Sequence, residues 1–173
     1  NVLSVLTQGD NFVPGTYTDD PDTTTLAVLE SPWRINNDQA STGSMSFHNA
    51  NSGANYPNDT CAYLTLPAVE LQAGATLSYD ALYNLEVNWD GVVVEISTDG
   101  GNRWNDLPPA GGYPSSFSMT EPTPGQPINA CGYPASQGAF SGAQNSFATF
   151  SSDLSAFAGQ QVMIRWAFSS DPG

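Results

Sequence analysis

The stretch "EVNWDGVVVEISTDGGNRW" (86–104) sets Glu86, Asp90 and Glu95 around a β-branched run, with Asp99-Gly-Gly closing it. Grouped carboxylates can do two kinds of chemistry. A pair can act as acid and nucleophile or base on a glycosidic bond, and Glu86 and Glu95 are the candidates. Several together can instead supply the roughly six to eight hard oxygens that Ca²⁺ takes. Glu86 and Asp90 flank the connection between two strands, so both can turn toward one point beyond the sheet end. Asp171, after the strand at 160–170, can reach that same end, and Asp59 is a fourth candidate ligand. Residue chemistry alone slightly favours a plainer alternative: Asp90-Gly91 as a turn and Glu86 as a solvated strand end.

Other catalytic chemistry finds little support. His48 is the only histidine, placed in a short alternating segment with no nucleophile motif nearby. No lysine is present to act as base or Schiff-base former, and no GxSxG, HExxH or phosphate-binding loop occurs. Asp99 belongs to a hairpin turn and is assigned no ligand role. Asp19, Asp20 and Asp22 read as a solvated acidic loop within 7–25. For a carbohydrate ligand the available loop or outward aromatics are Tyr56, Tyr63, Tyr113, Phe117 and Tyr133, with Tyr113 and Tyr133 the candidate binding residues. Trp104 reads as a core or corner residue.

The elements that must position these groups are strands. In 76–86, Leu77, Tyr79, Ala81, Tyr83 and Leu85 share one face. In 91–97, Val92, Val94 and Ile96 oppose Val93, Glu95 and Ser97. In 160–170, Val162, Ile164, Trp166 and Phe168 oppose Gln161, Met163 and Arg165. Segments at 62–67 and 44–48 repeat the pattern. Period-2 alternation buries one face of each strand, and such faces need a facing sheet. An all-β, two-sheet antiparallel sandwich follows, as one domain over 1–173. Asp99-Gly100 predicts a two-residue hairpin, with Gly101 free to absorb a bulge. Leu71-Gln-Ala-Gly-Ala and Leu154–Gln160 read as paired corners. Residues 107–148, rich in Gly, Pro, Ser and Asn, form a long stretch that is either functional or ordered by its own short strands.

Composition narrows the setting. Seventeen acids stand against three bases, for a net charge of −14. Such a field repels phosphate backbones and anionic lipid, so nucleic-acid partners are excluded. No apolar run reaches the roughly 18 residues of a membrane span, and no signal peptide is visible, so the chain reads as a mature or excised piece. Cys61 and Cys131 are either buried thiols or a disulfide tying a long loop to a strand. The bridge is favoured if the protein is secreted. Asn58-Asp-Thr is a formal glycosylation sequon.

"LPAVELQAGATLSYDALYNLEVNWDGVVVEISTDGGNRWNDL", then "GGY", "AFSG" and "DLSAFAGQQVMIRWAFSSD" together resemble a jelly-roll accessory module of secreted bacterial multidomain proteins. Such modules accompany immune inhibitor A-like metallopeptidases and are related in fold to MAM and galactose-binding-like domains. The resemblance covers roughly residues 26–171. It implies a structural Ca²⁺ grouped by Glu86, Asp90 and Asp171, and a non-catalytic role in adhesion, targeting or packing. The partner would be a neighbouring domain of the same polypeptide, or an extracellular protein or glycan. Two departures stand out. Asp80 occupies the family's aromatic position, as a polar or metal-facing group, and the chain ends at "SSDPG", where the family continues into a last strand. A fragment lacking that strand is the expectation.

Overall fold

A computed structural model describes residues 17–23, 25–50, 55–118 and 129–173. Its strands are β1 (Val28–Leu29), β2 (Arg34–Asn36), β3 (Ser46–His48), β4 (Cys61–Thr65), β5 (Val69–Glu70) and β6 (Thr76–Asn84). They continue with β7 (Gly91–Ser97), β8 (Asn105–Asp106), β9 (Ser115–Ser116), β10 (Gly138–Ala139), β11 (Ala143–Asp153) and β12 (Gln161–Ser169). Among the described residues one 3₁₀ turn, Ser155–Phe157, interrupts an otherwise all-β succession.

The main sheet runs β1-β4-β12-β7-β8, with β5 added to β12, and every pairing is antiparallel. Against it lies the ribbon β6–β11, in register from Thr76↔Asp153 to Asn84↔Ala143 with a bulge between Gln144 and Ala148. The core between the layers holds Val94, Ile96, Leu107, Phe140, Val162 and Ile164, packed by Leu77, Tyr79, Tyr83, Phe150 and Trp166. Tyr79 reaches across, meeting Trp166 edge-on at 5.2 Å and stacking beside Phe150 at 6.0 Å. Leu77, Tyr79, Tyr83, Val94, Ile96, Val162, Ile164 and Trp166 are positions that alternation assigns inward, whereas Leu107, Phe140 and Phe150 lie outside the segments it covers. The two corners meet as well: Leu71 N–H donates to Gln160 O, Gly159 N–H to Leu71 O, and Leu154 N–H to Ala75 O.

Alternation misjudges the other face of β7. Val93 and Ser97 are fully buried and Glu95 nearly so. The covering comes from the stretch after β8, where Phe117 and Ala139 close a second apolar cluster with Val93, flanked by Trp89, Tyr113 and Tyr133. Phe117 is therefore an interior residue and not an outward aromatic. The approach is close at Gly91, where a Cβ would lie 2.9 Å from Ala139 Cβ and 3.0 Å from Phe117 Cζ. Glycine here serves contact with the cover, beyond any turn with Asp90.

The predicted two-residue hairpin at Asp99 is also corrected. Residues 98–104 separate β7 from β8, whose pairing begins at Ile96↔Asn105. Asp99 organises this longer loop: its Oδ1 accepts from Ser97 Oγ and from Arg103 N–H, both at 2.9 Å. Asp80, read as polar or metal-facing, accepts from Ser41 Oγ and Thr149 Oγ1 on the exposed ribbon face.

Candidate functional site

The turn after β6 builds the acidic site. Asn88 takes the left-handed conformation (φ 69°), which closes a loop with Asp90 N–H donating to Glu86 O at 3.0 Å. Asparagine tolerates this conformation because its short polar side chain hydrogen-bonds locally. Here Asn88 Nδ2 donates to Ser116 O, and its own N–H donates to Ser141 Oγ. The loop brings Glu86 and Asp90 to one end of the sheet, and Asp171 arrives from the end of β12. One carboxylate oxygen from each of the three lies within 4.8 Å of the others.

Burial differs sharply across the trio: Glu86 is exposed, Asp171 half-buried and Asp90 only 3% exposed. Both oxygens of Asp90 are held. Oδ1 accepts Asp171 N–H at 2.9 Å and Oδ2 accepts the Tyr56 hydroxyl at 2.6 Å. Desolvation pushes the Asp90 carboxyl above its ordinary value, against the lowering effect of these bonds. Burial and the bond to Asp90 likewise push the Tyr56 phenol up to about 12. Among the described residues no basic group pairs with any of the three acids.

Tyr56, counted among the loop or outward aromatics, has a place in the acidic site itself. Its hydroxyl also accepts Glu86 N–H at 2.9 Å, and its ring meets Phe168 edge-on at 5.3 Å. It fastens the turn to the sheet and aims Asp90. Nothing in the local sequence marks this role, because Tyr56 lies far along the chain from both acids. Asp59 contributes its backbone, with N–H donating to Asp171 O at 2.6 Å. Its carboxylate falls outside the converging trio. The left-handed conformation at Asp59 (φ 47°) carries the chain past the site.

Glu95, the other half of the candidate glycosidase pair, is committed elsewhere. Its Oε2 takes Arg165 Nε at 2.6 Å, directly across the β7–β12 pairing. The Arg165 guanidinium lies between the rings of Tyr63, 3.8 Å from its centroid, and Trp104, at 4.1 Å. Tyr133 donates its hydroxyl to Glu95 and stacks on Phe117 at 5.7 Å. Tyr113 donates to Asp106 Oδ1 and accepts Val94 N–H, each at 2.9 Å, with its ring edge-on to Phe140. Burial pushes both phenols far up. Tyr113 and Tyr133 thus serve the cover over β7, and the reading of them as an open ligand platform is corrected. Trp104 is a cation-stacking residue.

Cys61, opening β4, and Cys131 are joined by a disulfide. The His48 ring meets the nearby Ala50 backbone through Nδ1. In the acidic loop, Asp22 takes the Ser44 and Met45 amides and Asp19 takes those of Leu26 and Ala27. These acids tie loops together. The part of that loop before residue 17 lies outside the described residues.

The trio passes a simple test of fit to a divalent cation. Ca²⁺–oxygen bonds of about 2.3–2.6 Å put oxygens on opposite sides of one ion roughly 5 Å apart, so oxygens lying within 4.8 Å of one another can share a single ion. The donors are all hard oxygens. No helix of the described residues is long and apolar enough to cross a membrane. No protein-family model matches the chain, and no curated protein matches it in sequence.

Proposed function

We propose that the chain is a non-catalytic recognition or packing module of a secreted, peptidase-associated multidomain protein, stabilised by Ca²⁺ at Glu86, Asp90 and Asp171. One observation carries this reading: three carboxylates converge without a basic partner among the described residues, and the most buried of them is already oriented by Tyr56 and Asp171 N–H. A bound divalent cation supplies the charge that the chain lacks there. The Cys61–Cys131 bridge supports an oxidising, extracellular setting. A scaffold role is supported by Glu95, whose charge is consumed by Arg165 and Tyr133. The peptidase association rests on the sequence resemblance, and the partner is a neighbouring domain or an extracellular protein or glycan.

Calorimetry in Ca²⁺, Mg²⁺ and EDTA tests the reading. A cation that binds only the folded chain stabilises it by about 2.7 kcal/mol at a hundred times its Kd. The melting temperature should climb with Ca²⁺ concentration, and the E86Q/D90N/D171N variant should not respond. Thermal unfolding unchanged between Ca²⁺ and EDTA would sink the proposal.

A further inference from the structure

The face of the main sheet turned away from the ribbon is roofed at one end only. At that end Val93, Ala167 and Ser169 are fully buried, with Val93 against Phe117 and Ser169 Oγ taking Cys131 N–H. Toward the start of β12 the same face opens. Val28 pairs with Thr65, and Thr65 with Arg165. Directly opposed residues of antiparallel strands share a face, so these three form one row, and alternation places Met163 and Gln161 beside it. Val28 is 49% exposed and Gln161 exposed, while Thr65, Met163 and Arg165 are half-buried. Arg165 is the centre of this strip. Glu95 Oε2 takes its Nε at 2.6 Å, and the half-buried rings of Tyr63 and Trp104 confine the guanidinium. The rings are fixed in turn: Trp104 Nε1 donates to Gly101 O at 3.0 Å, and the Tyr63 hydroxyl lies 3.1 Å from Cys61 Sγ. Among the described residues Arg165 Nη1 and Nη2 and Thr65 Oγ1 make no hydrogen bond, and none of the three is sealed from solvent.

On the recognition role proposed above, we propose that this open strip, centred on Arg165, takes a neutral oligosaccharide as its ligand. A guanidinium held in one plane loses little further freedom when its remaining N–H donors bind. Charge decides what they bind. Such a fork commonly takes a carboxylate, but Glu95 already neutralises Arg165, Asp106 stands opposite Glu95 on β8, and the chain carries a net charge of −14. A further acid meets repulsion there. Sugar hydroxyls meet none. They accept from Arg165 Nη1 and Nη2, exchange hydrogen bonds with Thr65 Oγ1, and leave the C–H face of the ring to Val28 and the aromatic pair. Apolar and aromatic surface with a few placed polar groups is the usual make-up of a small-ligand site. From Gln161 to Arg165 the strip runs about 13 Å along β12, space for consecutive sugar rings. The metal takes no part, because Asp171 follows the opposite end of β12.

Titration calorimetry of the full chain tests this, with cellohexaose, laminarihexaose, mannohexaose and xylohexaose as neutral probes and a galacturonate hexamer as the anionic one. At least one neutral probe should bind saturably. Arg165→Lys keeps a cation for Glu95 but loses the fork, and should weaken binding about tenfold or more; Thr65→Val should weaken it about fivefold. Thr65→Val keeps a β-branched residue on its strand, so it carries the test even where Arg165→Lys fails to fold. The E86Q/D90N/D171N variant should bind the sugar as wild type does. Binding of no neutral probe, binding of galacturonate alone, equal affinity in Thr65→Val and wild type, or loss of binding in E86Q/D90N/D171N would each overturn the proposal. Melting curves of the same samples in Ca²⁺ and EDTA keep the two readings apart. A Ca²⁺ response without sugar binding sinks the glycan site alone, and sugar binding without a Ca²⁺ response sinks the metal site alone.

Discussion

Asp90 and Glu95 are carboxylates of one short stretch, 3% and 7% exposed, and the chain treats their charges in opposite ways. Glu95 sits mid-strand, with Arg165 opposite on β12 and two aromatic rings confining that cation. Asp90 sits at the strand's start, among two further acids and no base. An ionised carboxylate loses several kcal/mol of hydration on burial unless paired charge or hydrogen bonds return it. The central pair returns it within the chain. The end cluster returns part of it through Tyr56 and Asp171 N–H, and on the proposed reading a cation from solution returns the remainder. A closed electrostatic unit and an open one thus stand at two heights on the same sheet.

Breaking the closed unit should give the largest effect. Arg165→Ala leaves Glu95 buried and unpaired and removes the cation between Tyr63 and Trp104. Chemical denaturation should show a loss of about 3–5 kcal/mol, or roughly 10 °C in Tm for a chain of this size. Replacing both partners, as E95L/R165M, should recover most of that loss. If the single variant costs under about 1 kcal/mol, the pair is not the closed unit described.

The open unit should respond to its surroundings. Asp90→Asn should abolish the Ca²⁺-dependent gain of about 2.7 kcal/mol at a hundred times Kd, while stability in EDTA changes by about 1 kcal/mol or less. Calorimetry of both forms in both buffers separates these outcomes. The pH dependence sharpens the point. Burial raises the Asp90 carboxyl in the folded state above its ordinary 3.8, so its contribution to stability is fully present below 3.8 and is lost as pH rises through the raised native value. In EDTA, wild type should therefore show a destabilising step on raising the pH above 3.8 that D90N lacks. In Ca²⁺ the sign reverses, because protons compete with the metal. Tm-against-pH curves without that divergence would leave Asp90 electrically inert.

The smallest effects come from the two hydroxyls. Tyr56→Phe strips a donor from Asp90 and an acceptor from Glu86 N–H, and should cost about 2 kcal/mol with a weaker Ca²⁺ response. Tyr133→Phe should cost about 1 kcal/mol with no metal dependence, since Arg165 remains on Glu95. Equal Ca²⁺ dependence in the two variants would remove the distinction between the regions.

Much of this was legible residue by residue. The alternation in 76–86, 91–97 and 160–170 fixes which side chains face the inter-sheet core, because neighbouring side chains on a strand point to opposite faces. Their flanking one connection allows Glu86 and Asp90 to converge, and its place at a strand end allows Asp171 to join them, but residue chemistry alone favoured a plain turn and a solvated strand end, and it was the family resemblance that grouped the three. Other features were hidden. Glu95 and Arg165 show up in the sequence only as outward residues of separate strands, and nothing local announces a cover above them. Tyr56, Tyr113 and Tyr133 look alike as loop aromatics, yet one aims a carboxylate and two roof a strand.

The sequence by itself determined the strands, their inward faces and the acidity, since each depends on short-range periodicity or on a residue's own chemistry. Only the tertiary structure decided which carboxylate receives a cation from the chain, that 113–118 and 129–140 roof the second face of β7, and that Cys61 meets Cys131. Those outcomes depend on antiparallel register and on contacts between distant segments. Residues separated by some seventy positions carry no mutual signal until β4, β7 and β12 lie side by side.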